Sequence, residues 1–89
     1  MARIRVTPEQ VRQVATQFSQ AASQSEDMVG RLTNAVNGMQ PEWEGMTSQR
    51  FYGDFQQWSA QMRQFIELLK GINTQLNQIA DRFAAADQQ

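Results

Sequence analysis

The chain has 89 residues, 40% of them hydrophobic, with five Gly and two Pro, which is the size and make-up of one small folded domain. Its net charge of −1 comes from eight basic and nine acidic residues dispersed along the chain, so there is neither a basic stripe for a nucleic-acid backbone nor a polycationic face for lipid. Cys and His are both absent, which excludes disulfides, thiolate or imidazole catalysis and the usual transition-metal sites.

The opening residues turn polar at Thr7 without an apolar stretch, and no run approaches the roughly 18 residues of a membrane span. The expectation is a protein without a cleavable signal peptide and without stable membrane insertion. A helix start follows at once: Thr7 can cap, Pro8 suits the first helical position and Gln10 completes a Thr-x-x-Gln capping box, with Val6 and Val11 at the staple positions. Apolar residues then recur at Val11, Val14, Phe18, Ala21, Met28, Leu32, Ala35 and Met39, with Ser25 the one polar entrant, in alternating steps of three and four. That heptad seam predicts a helix over about 8–39. Beside it runs a second apolar line, Ala15, Ala22, Val29 and Val36, repeating every seven residues.

Gln40-Pro41-Glu42-Trp43-Glu44-Gly45 interrupts the pattern: Pro41 stops a helix and Gly45 tolerates positive φ, so a turn is expected over about 40–45. A second seam begins immediately with Phe51, Phe55, Trp58, Met62, Phe65, Leu69, Ile72, Leu76, Ile79, Phe83 and Ala86, and predicts one helix over about 46–86. A short connection between two long helices makes them antiparallel neighbours. The fold class is therefore all-α, an antiparallel helix-turn-helix hairpin occupying residues 1–89 as a single domain. Its expected core is Phe18, Leu32, Phe55, Trp58, Phe65, Leu69 and Leu76. Two helices cannot close around sixteen large side chains, and with disulfide and metal unavailable a partner subunit must complete the core. The expectation is a dimer, a four-helix bundle whose subunit contact is the small-residue line Ala15, Ala22, Val29 and Val36.

Catalysis is not expected. No Gly-rich loop follows a strand, and nearby carboxylates such as Glu26/Asp27 and Glu42/Glu44 read as solvent-facing, so no catalytic residue, cofactor or metal ligand is assigned. The polar faces carry fifteen Gln, which suits handling by partners and is equally ordinary helix filler. Trp43 reads either as a plug at the open end of the seam or as an exposed anchor for a receptor. Phe83 and Asp87, four apart, share one helical face near the C-terminus. Packing of Phe83 and fraying around Asp87 are the bland alternatives.

Two long helices, Trp43-Glu44-Gly45 at the turn and an aromatic-x-x-x-acid element at the C-terminus resemble, over the whole chain, the WXG family of type VII (Esx-type) secretion substrates. The opening Ile4-Arg5-Val6-Thr7-Pro8-Glu9 is similar to that of homodimer-forming members from Gram-positive bacilli. The resemblance, to a family associated with virulence, implies a protein made and dimerised in the cytoplasm. It further implies export of the folded homodimer, or of a heterodimer with a WXG paralogue, by a membrane machine with an FtsK-like ATPase. It implies cargo, and an adaptor for co-secreted proteins, rather than a catalyst. Trp43 and Gly45 match the turn motif; of the C-terminal Tyr-x-x-x-Asp/Glu export element Asp87 matches, while Phe83 stands where Tyr is usual, so a phenol hydroxyl has no counterpart here. The alternatives are a cytoplasmic coiled-coil adaptor or chaperone and a membrane-active effector acting after export.

Overall fold

The computed structural model describes residues 6–43 and 45–87, with Thr47 and Asp87 described through their backbone alone. Helix α1 spans Pro8–Met39, a 3-10 turn covers Gln40–Glu42, and helix α2 spans Met46–Asp87. The start of α1 is built as its residues dictate: Thr7 is extended, its hydroxyl accepts from the Gln10 backbone N–H at 3.1 Å, and the Gln10 carboxamide accepts from the Thr7 N–H at 2.9 Å. Two of the orphan donors of the first turn are thereby satisfied by side chains. At the other end Pro41 enters the 3-10 turn, where its missing N–H costs little.

The two helices lie side by side in antiparallel register. Arg12 near the start of α1 pairs with Asp81 near the end of α2 at 2.6 Å, Asn73 Nδ2 donates to the Ala15 carbonyl at 2.6 Å, and Lys70 Nζ pairs with Glu26 at 2.6 Å. The resulting body measures 67 × 22 × 16 Å. A helix with its side chains is about 10–12 Å across, so the shortest dimension holds a single layer of helices. Folded domains ordinarily bury their apolar surface between two or more layers, and this hairpin has one.

Which residues close the hairpin differs from the sequence expectation. The core of the hairpin is Val11, Ala15, Ala22, Val29 and Val36 from α1 against Ile66, Leu69 and Ala80 from α2. Ala15, Ala22, Val29 and Val36 therefore lie inside the hairpin and are not the outward subunit contact. The physical reason is that small side chains let two backbones approach closely, and the short turn delivers α2 as the helix that approaches. The large residues of the seam take the opposite fate. Leu32 is 41% exposed and Phe65 47% exposed, so these two expected core residues sit outside. Leu69 is buried, and Phe18, Phe55, Trp58 and Leu76 are half-buried.

A simple rule describes the two broad faces. Exposed or half-buried apolar residues immediately precede buried ones: Val14 before Ala15, Ala21 before Ala22 and Met28 before Val29 on α1, and Phe65 before Ile66, Leu68 before Leu69 and Ile79 before Ala80 on α2. One residue is about 100° of helix rotation. The offset has the same sense in both helices, and antiparallel helices with the same offset present those residues on the same side of the pair. The hairpin thus has one apolar broad face. Charged residues immediately follow buried ones: Arg12 after Val11, Lys70 after Leu69 and Asp81 after Ala80. The opposite face is consequently the one closed by ion pairs.

Candidate functional site

Trp43 leaves the 3-10 turn in an extended conformation, its N–H donating to the Gln40 carbonyl at 3.4 Å. Its indole is half-buried against the first turns of α2, with ring centroids 5.4 Å from Phe51 and 6.0 Å from Tyr52. Phe51 continues to Phe55 at 6.3 Å in a stacked arrangement, and Phe55 to Trp58 at 5.4 Å. Spacings of four and three residues put these rings in one file along α2. Trp58 packs in turn on the buried cluster of Ala22, Val29, Ile66 and Leu69. Trp43 packs on the end of the apolar seam and keeps part of its surface in solvent.

Gly45 adopts φ +121°, a value that L side chains rarely take, and nothing lies within 4 Å of where a Cβ would stand. The residue is required by backbone conformation rather than by crowding. Its carbonyl accepts from the Gln49 N–H at 3.2 Å and the Ser48 hydroxyl at 2.7 Å, so the glycine that reverses the chain also begins α2. Glu44 lies outside the described residues.

Phe83 is half-buried on the last turns of α2, and the helix extends through Asp87, whose side chain lies outside the described residues. Some forty helical residues separate Trp43 from Phe83, a rise of about 60 Å. One chain holds the two elements at opposite ends of the rod and does not bring them together.

A groove of about 380 Å³ opens on the ion-paired side near the turn, between Thr33 and Asn37 on α1 and Tyr52, Gln56 and Arg63 on α2. The hydroxyls of Tyr52 and Ser59, which line it, are buried without a hydrogen-bond partner among the described residues. Among the described residues no group of His, Cys, Asp or Glu could hold a metal ion, and no helix is long and apolar enough to cross a membrane. Lys70 is held above its ordinary pKa by its hydrogen bond to Glu26 and by the charges of Glu26 and Glu67. Its ammonium is exposed, which makes the pair a surface feature of the hairpin.

The sequence analysis missed the aromatic file beneath Trp43. Its signal is present in the steps Phe51, Phe55 and Trp58 of the second apolar seam, of which the expected core takes only Phe55 and Trp58.

The fold and its turn define a class: small two-helix hairpins closed at a Trp-x-Gly turn, with one apolar face left over. The chain belongs to the WXG100 family, proteins of 100 residues with WXG, whose family model matches residues 3–88. It is 36% identical, over all of its length and 92% of the relative's, to the type VII secretion system extracellular protein A of Staphylococcus aureus strain USA300. Among solved structures it is similar to the secreted protein EsxB of Bacillus anthracis strain Sterne, with 38% identity, a TM-score of 0.87 and coverage of 98% of this chain and 99% of that one. It is similar also to Geobacillus thermodenitrificans EsxA, with 30% identity, a TM-score of 0.87 and coverage of 97% and 94%.

Proposed function

We propose that the chain is a cargo of a type VII secretion system, exported folded as a homodimer and able to act as an adaptor for co-secreted proteins. The observation that carries the reading is the single-layer hairpin with an uncovered apolar face, in a chain whose relatives are named extracellular proteins of that system. Val14, Leu32 and Met39 on α1 and Phe65, Leu68 and Ile79 on α2 supply a stripe that a second copy, related by a twofold axis, covers with the same residues. The small-residue line is already used within each chain, so the subunit contact passes to these large side chains.

Two antiparallel hairpins place the turn of one beside the C-terminal end of α2 of the other. Trp43 of one copy and Phe83 with Asp87 of its partner then form one surface, which a lone chain, with about 60 Å between them, cannot present. An FtsK-like motor ATPase that reads this composite surface exports assembled pairs and ignores unpaired chains. The half-exposed indole supplies the anchor, as aromatic side chains do at recognition sites. Phe83 contributes an aromatic ring without a hydroxyl.

The test is export from a producing strain with and without the motor ATPase, alongside a Trp43→Arg variant whose dimerisation is measured separately. Export that needs both the motor and Trp43, with the variant still dimeric, supports the reading. Normal export of a dimeric Trp43→Arg chain removes the composite surface from it, and export without the motor removes the pathway.

A further inference from the structure

The aromatic file beneath the turn has a geometry that packing of the hairpin does not explain. Among the described residues, Phe51 is the ring that both lies against Trp43, at 5.4 Å between centroids, and is an exposed large hydrophobic, at 36% exposure. It immediately precedes the half-buried Tyr52, as Phe65 precedes Ile66, and so belongs to the apolar broad face. One side of its ring is committed to the indole while the rest turns toward the surface that a second copy covers. Tyr52 flanks the same indole at 6.0 Å and meets Phe51 edge-on at 5.7 Å, so the two rings form a corner in which Trp43 sits. The backbone adds little restraint of its own. Among the described residues, the backbone hydrogen bond that joins Trp43 to the turn is long, at 3.4 Å, and a glycine at positive φ follows within two residues.

We propose that Phe51 is a positioning residue for Trp43, transmitting coverage of the apolar face to the indole so that assembly holds the tryptophan in its recognition geometry. The inference rests on the reading of Trp43 as a recognition residue, and adds that its placement is made by a side chain of the subunit contact. A motor that recognises an immobilised indole then discriminates pairs from single chains at the turn as well as through the composite surface.

The experiment uses the full-length dimer with Trp58→Phe, so that Trp43 is the sole fluorophore, and compares Phe51, Phe51→Ala and Phe51→Leu. Because Trp58 packs on the core, the same comparison is run on the chain with both tryptophans, labelled with 5-fluorotryptophan and followed by fluorine NMR. Sedimentation confirms the oligomeric state of each, and export is measured in parallel. The expected result is that Phe51→Ala remains dimeric while acrylamide quenching of Trp43 rises roughly twofold, as for an indole released from half-burial into water. Its export falls, and Phe51→Leu, which keeps apolar bulk, restores both. Unchanged quenching in a dimeric Phe51→Ala chain overturns the proposal. Loss of the dimer itself also overturns it, by making Phe51 a residue of assembly alone. If instead Trp43→Arg is exported normally while Phe51→Ala loosens the indole, the recognition reading fails and the mechanical link stands.

Discussion

Replacing Leu32 by Glu separates the two apolar surfaces of the molecule. Leu32 is 41% exposed in the hairpin, so about two-fifths of its apolar surface remains for a partner to cover. Full burial of a leucine contributes roughly 1.5–3 kcal/mol, and two-fifths of that is about 0.6–1.2 kcal/mol per subunit. Twofold symmetry counts it twice, giving about 1.2–2.4 kcal/mol, or roughly tenfold to sixtyfold in the dimer dissociation constant. Glu adds a larger cost, because two carboxylates must be desolvated in the contact at several kcal/mol each. The combined expectation is weakening by more than about a thousandfold. Leu32→Ala, which omits the charge, should fall within the tenfold to sixtyfold range. Sedimentation equilibrium over a dilution series measures both. The paired control is Val29→Glu: Val29 is 8% exposed and packed between the helices, so its substitution should abolish cooperative unfolding by circular dichroism at every concentration. A Leu32→Glu chain as dimeric as the parent refutes the assignment of the faces, as does a Val29→Glu chain that folds normally.

Gly45→Ala should destabilise by about 1–3 kcal/mol through φ alone, since open space surrounds the new Cβ; chemical denaturation measures it. Ser59→Ala removes a buried hydroxyl that has no partner among the described residues and should raise stability by about 1 kcal/mol in the same assay. The Lys70–Glu26 pair should be insensitive to pH through the neutral range. Because Lys70 is raised above its ordinary value of 10.5, its contribution is complete below that value and is lost only as pH climbs through the still higher folded pKa. Thermal melts of the parent and Lys70→Met should therefore differ by a constant small amount from pH 7 to 9 and converge in strong alkali, as expected of an exposed pair.

The hairpin was legible because its three determinants are local. A capping box at Thr7, a three-and-four step on each side of Pro41 that is apolar but for Ser25, and a glycine where the chain must take positive φ are written in nearby residues. The division of labour between faces was not. Ala21 and Ala22, or Met28 and Val29, are neighbours only about 100° apart on the helix, and both are apolar, so periodicity cannot say which points at α2 and which at another chain. On α1 the line built only of Ala and Val admits the close approach of the tethered helix; on α2, where Ile66 and Leu69 are buried beside the exposed Phe65 and Leu68, size does not decide. Treating Leu32 and Phe65 as hairpin core followed from taking each seam as a single line when it straddles two contacts. The proposed placement of the turn beside a partner's C-terminus depends on assembly, and one chain's periodicity does not encode it.

The central claim is that the functional object is a pair of hairpins joined through the apolar broad face. Light-scattering mass of the full-length chain at micromolar concentration, taken together with its helicity, tests this most directly. A pair of hairpins is a fully helical particle of twice the 10.2 kDa chain mass, and that is the expected result. A particle of 10.2 kDa with the same helicity and the same cooperative melt would contradict it.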